Sequence, residues 1–135
     1  MTKKLGLKEK RASLKLLYFL AFVLALATAM PAYIESSYIR QFVGLEWVSL
    51  FFLGANILAL AVIVYFPSII QKYKNYRTSE AVLFFYFLSL VLLSISQTGL
   101  GVFISFALLI ISSTLIWISM DIFVESYSST ASTGR

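Results

Sequence analysis

Three uncharged apolar runs constrain this chain more than anything else in it: positions 16–34, 47–70 and 81–120 contain no Asp, Glu, Lys or Arg. A helix needs about 20 mostly apolar residues to cross a bilayer. The first two runs each suffice for one crossing and the third for two. A soluble domain of 135 residues has too little interior to hide them, whereas lipid accommodates them directly. Composition agrees, with 60% of residues hydrophobic and 13% charged, against roughly 45–50% and 25% in soluble domains. The expected fold class is an all-α integral membrane protein. Four transmembrane helices, about 16–34, 47–70, 81–96 and 100–120, would run in antiparallel up-down order.

Charge supplies the orientation. Between the second and third runs lies P67-S-I-I-Q-K-Y-K-N-Y-R-T-S-E80, a polar loop carrying Gln71, Lys72, Lys74 and Arg77 against Glu80. The lead-in, 1–15, carries Lys3, Lys4, Lys8, Lys10, Arg11 and Lys15. Lys and Arg are retained on the cytosolic side during insertion. Of the eleven basic residues, only Arg40 falls outside the lead-in, the central loop and the tail. Both termini are therefore expected in the cytosol, at the cell or inner membrane, with a partly disordered lead-in that touches anionic lipid. The net charge of +5 reads as a topology signal, not as a nucleic-acid patch. The basic start, apolar core and A27-T-A29 also fit a cleavable signal peptide. The apolar run continues past Ala29 through Pro31 and Tyr33, which favours a retained first span.

Each span has its own character. The first carries small residues at Ala21, Ala25, Thr28 and Ala32, a stripe that lets a neighbouring helix approach. Pro31 should kink or end it. Glu35 then opens an external loop, 35–46, as a carboxylate at the outer interface. In the second span Trp47 and Tyr65 suit the interfacial belts, and Gly54, Ala55 and Ala59 offer close packing. Asn56 falls near mid-membrane, where its amide should bond to another helix. The third span, with F84-F-Y-F87, is bulky and apolar and is expected to face lipid. Q97-T-G-L-G101 is a hairpin. In the fourth span Ser105, Ser112 and Ser119 repeat every seven residues, flanked by Ser113 and Thr114. That face should look inward, at helices or at water. Asp121 and Glu125 mark the exit, and 121–135 reads as a polar tail. Thr28, Asn56, Ser105, Ser112 and Ser113 are thus the candidate cavity and packing residues, and Glu35 and Asp121 the candidate gating charges.

The chain has no Cys and no His. That excludes disulfides, thiolate or imidazole metal sites and Ser–His or Cys–His nucleophiles. There is no P-loop, no nucleotide fingerprint and no pair of carboxylates within a span. No enzyme, metal or cofactor is implied. A site here must be built from hydroxyls, amides, aromatic rings and shape.

This layout resembles the N-terminal four-helix portion of a major facilitator superfamily (MFS) transporter. The resemblance lies in the basic start, a small-residue first helix ending in P31-A-Y-I-E-S-S37, the basic central loop, the short external hairpin, and Asp121 before a stretch closing in T133-G-R135. Against the family's loop pattern G-x-x-x-D-[RK]-x-G-[RK]-[RK], Pro67 takes the first Gly, Gln71 the Asp, Lys72 the basic position and Lys74 the second Gly. Lys72 matches and Arg77 lies nearby. The resemblance implies a cavity lined by the first and fourth helices, with the third outside. It also implies a secondary transporter that moves a small solute. In that family the site lies between two six-helix halves, so four helices would not transport alone. The implied partners are membrane lipid, an unknown small-molecule substrate, and the missing C-terminal helices or an oligomeric partner. Two other readings stay open: a complete four-helix protein working as a flippase-like or multidrug-type oligomer, and a structural membrane subunit.

Overall fold

The computed structural model describes the backbone of residues 7–132 and, Leu14 apart, the side chains of 13–126. It is all-helical, with no strand among the described residues. The helices are α1 (Leu7–Ile39), α2 (Leu45–Tyr73), α3 (Asn75–Ile95) and α4 (Gly99–Ser132). Each contains a segment long and apolar enough to cross a membrane: Lys15–Ile39, Leu45–Tyr73, Asn75–Ile95 and Gly99–Ser126. Their outward surface is oily. Phe22, Tyr33, Val64 and Phe87 all stand more than half exposed, which water would penalise and lipid would not. These features are those of a membrane protein.

The helices overrun the boundaries drawn from charge. The polar stretch 67–80 is not a loop: α2 continues through Pro67 to Tyr73, and α3 starts at Asn75. Gln71 and Lys72 sit on the end of α2 and Arg77 on the start of α3, with Lys74 alone between them. Gln, Lys and Arg are good helix formers, so polarity marks where the apolar layer ends and not where the helix does. At the opposite end α1 passes Pro31 and Glu35 and runs to Ile39, which is fully buried. The expected external loop shrinks to the turn 40–44, held by Gln41 N–H on Tyr38 O and Val43 N–H on Ile39 O. The lead-in is helical from Leu7, not disordered there. The tail is likewise helical as far as Ser132, because Ile122, Phe123 and Val124 stay half-buried beyond Asp121. The closing T133-G-R135 and Lys3 and Lys4 lie outside the described residues.

Packing centres on α4, which touches the other three helices, α3 most extensively and α1 least. Two physical devices hold it. On the α2 side, Phe103 and Phe106 meet Phe51 and Phe52 edge-on, with ring centroids 5.0 and 4.9 Å apart, the geometry that aromatic quadrupoles favour. Gly54 makes room there: a β-carbon at that position would stand 3.3 Å from the Phe103 ring. On the α3 side the seam is made of serines. Seven residues are nearly two helical turns, so Ser105, Ser112 and Ser119 drift by only about 20° per step. All three are buried. Ser105 Oγ lies 3.4 Å from Ser96 Oγ at one end, and the Asn75 amide donates to Ser119 O at 3.2 Å at the other. Small side chains let two helices come close where lipid offers no hydrophobic drive.

The third helix is accordingly not an outer, lipid-only helix. Thr78, Val82, Tyr86 and Ser89 form its buried face, spaced three or four apart, while Phe84, Phe85 and Phe87 point outward. The most exposed helix is α1, in which no residue from Lys15 to Tyr38 is buried. Its contact face is half-buried and falls at Leu17, Ala21, Leu24, Thr28, Pro31, Glu35 and Tyr38, alternating steps of four and three. Ala32, expected on the packing stripe, is exposed.

Candidate functional site

Where α1 leans on α3 and α4, its contact face does not close. It leaves a cavity of about 160 Å³ bordered by Thr28, Glu35, Tyr86, Ser113 and Thr114. Three helices thus bring four hydroxyls and one carboxylate to a single place. The backbone explains part of it. Pro31 has no N–H to give to the carbonyl of Ala27, four residues back. Tyr86 of α3 turns its hydroxyl to that carbonyl, 3.5 Å away, as a neighbouring helix must when a proline frees a backbone group in lipid. The same proline therefore draws the only polar-tipped side chain of F84-F-Y-F87 inward.

Two of the other hydroxyls, Thr28 and Thr114, are also committed as donors. Thr28 Oγ1 donates to Leu24 O at 3.0 Å or Ala25 O at 3.2 Å, and Thr114 Oγ1 to Ile110 O at 2.9 Å. Their remaining lone pairs are left to accept. Glu35 is half-buried and, among the described residues, forms neither an ion pair nor a hydrogen bond. It also borders a second cavity of about 400 Å³ between α1 and α3, whose walls are mostly apolar, Met30, Pro31, Ile34, Leu90 and Leu93, with Tyr38 and Ser94 beside them. A carboxylate at the junction of a hydroxyl-lined pocket and a mostly apolar crevice, with no cation beside it among the described residues, suits a ligand that brings positive charge or donors.

The candidate residues divide accordingly. Thr28, Ser113 and Glu35 meet at this cavity. Ser105 and Ser112 do not: both lie in the buried serine face of α4, and Ser105 donates to Gly101 O at 2.9 Å. Asn56 is exposed and bonds its own helix, Nδ2 to Phe52 O at 2.8 Å, instead of a neighbour. An amide in an apolar helix can satisfy itself on the carbonyl four residues back. Asp121, Gln71, Lys72, Lys74 and Arg77 are exposed near the opposite end of α1's neighbours, with Lys72 Nζ 5.3 Å from the Tyr73 ring centre. Tyr86 was not legible as a site residue from its greasy surroundings. The hydroxyl-bearing positions Thr78, Tyr86, Ser89 and Ser96, at helical spacing with Val82 and Leu93, are the signal that finds it.

No protein-family model, curated protein or solved structure matches this chain.

Proposed function

We propose that the chain is a membrane-embedded solute-binding unit of a secondary transporter, with the cavity between α1, α3 and α4 as its binding site and Glu35 as its charged residue. The observation that carries this reading is Glu35 itself. A carboxylate without an ion pair among the described residues is costly to hold in a bundle, and it faces hydroxyls and cavity, not water-exposed loop. Antiparallel up-down order fits the contacts at the helix ends, since Asn75 meets Ser119 while Ser96 meets Ser105. Cytosolic termini fit the concentration of basic residues. The family resemblance to the first four helices of an MFS transporter rests on the layout described above; a cavity flanked by the first and fourth helices accords with it, whereas the place of α3 in the cavity wall departs from it. The thinly covered α1 is where further helices or a second copy would pack. Four helices bind but do not enclose a path, so transport requires that partner.

The test is a stability screen. Wild type and Glu35→Gln are purified, and unfolding is followed by the fluorescence of Trp47 and Trp117 with a panel of amines, carboxylates, sugars and amino acids. At least one solute should raise the unfolding temperature of wild type and not of Glu35→Gln. A panel in which every stabilising solute acts equally on both proteins would remove Glu35 from the site.

A further inference from the structure

The two cavities that share Glu35 define what could occupy them, given that the binding-site reading above holds. Their walls are chemically one-sided. Thr28, Tyr86 and Thr114 spend their hydroxyl hydrogens on main-chain carbonyls, so the polar cavity presents mainly acceptors, three hydroxyl oxygens and the carboxylate, beside the Ser113 hydroxyl. No Lys or Arg borders either cavity among the described residues. An anion would meet the Glu35 carboxylate and no positive charge there. A sugar, which needs donors and acceptors in balance, would meet the apolar walls of Ile34, Leu90 and Leu93 on one side. A cation that carries N–H groups fits the polar cavity, and an apolar body fits the crevice. The crevice, about 400 Å³, lies in the range that small-molecule sites occupy, roughly 300–1,000 Å³.

We infer that the site takes a hydrophobic primary amine. Its ammonium sits on Glu35 and donates to the hydroxyl oxygens, and its apolar part lies between α1 and α3. Glu35 stands at the border of both spaces, which is where the charged end of such a molecule must be.

The experiment measures binding of tritiated 2-phenylethylamine to the purified chain in lipid nanodiscs, with unlabelled competitors. Binding should saturate and be displaced by unlabelled amine. The neutral 2-phenylethanol and the anionic 3-phenylpropionate should compete poorly, as should tetraphenylphosphonium, which is cationic but has no N–H. Glu35→Gln should weaken binding about 10- to 100-fold, the loss expected for one charge-assisted hydrogen bond. Glu35→Asp should keep part of it. Leu90→Trp, which fills the crevice and leaves the carboxylate in place, should weaken it too, and the elution profile of each variant reports its folding. Equal competition by the alcohol, or undiminished binding to folded Glu35→Gln, would overturn the inference. If the amine does not bind while another solute class shows Glu35-dependent stabilisation, the amine inference falls and the binding-site reading stands. If no solute shows it, both fall.

Discussion

The Tyr86 hydroxyl of α3 lies 3.5 Å from the Ala27 carbonyl of α1, the oxygen that Pro31 deprives of its helical partner. The two helices are thus coupled through a missing N–H. Tyr86→Phe should destabilise the wild-type background by about 0.5 kcal/mol, the usual size of an interhelical hydrogen bond in a membrane protein. In a Pro31→Ala background the Ala27 carbonyl regains its own N–H, and the same change should cost close to nothing. A double-mutant cycle on unfolding free energy checks this. Equal costs in both backgrounds would show that the proline and the tyrosine act independently.

The junction of α2 and α3 is a single residue in an unusual conformation. Lys74 has φ 67° and ψ 143°, a region that side chains with a β-carbon rarely enter and that costs about 1–3 kcal/mol. The strain persists because Lys74 N–H bonds Ile70 O and its own carbonyl accepts both Thr78 N–H and Thr78 Oγ1. Lys74→Gly should therefore stabilise the protein by about 1 kcal/mol, after the extra chain entropy of glycine is subtracted. Thermal unfolding in detergent would register this as a rise. A fall would mean that the lysine side chain contributes more than its backbone costs.

Ser112 and Phe85 make a matched pair for packing. Ser112 is 2% exposed on the serine face of α4, whereas Phe85 is 46% exposed on the outer side of α3. Ser112→Leu forces a branched side chain into a close seam and should cost about 1–3 kcal/mol. Phe85→Leu exchanges one apolar group for another at the surface and should be nearly neutral. The yield of monodisperse protein after mild heating separates the two, and equal behaviour would contradict the seam.

Sidedness is open to direct labelling, because the chain has no cysteine of its own. Single cysteines at Ser37, Tyr76 and Thr98, all exposed, would be treated in intact cells with an impermeant thiol reagent. Positions 37 and 98 should label from outside and position 76 only after the membrane is opened. The reverse pattern would invert the proposed topology.

The sequence by itself determined that residues 16–120 form four helices of membrane-spanning length, since uncharged runs of that size favour lipid as solvent and pair their backbone within the helix. It also singled out Thr28, Glu35 and Ser113 without showing that they meet. Where the helices end was decided by tertiary structure: polar residues after Ile70 and before Ala81 mark the edge of the apolar layer, and a helix can extend past that edge, as α2 and α3 do up to Lys74. Which face of each helix looks inward was also decided there. In a soluble protein the contrast between apolar and polar residues marks the buried face, but in a helix apolar all round that contrast is absent. The inner face is then told only by small residues and single hydroxyls, and for Tyr86 by a proline on another helix 55 positions earlier, which leaves the Ala27 carbonyl unpaired and makes it a partner only once the chain has folded.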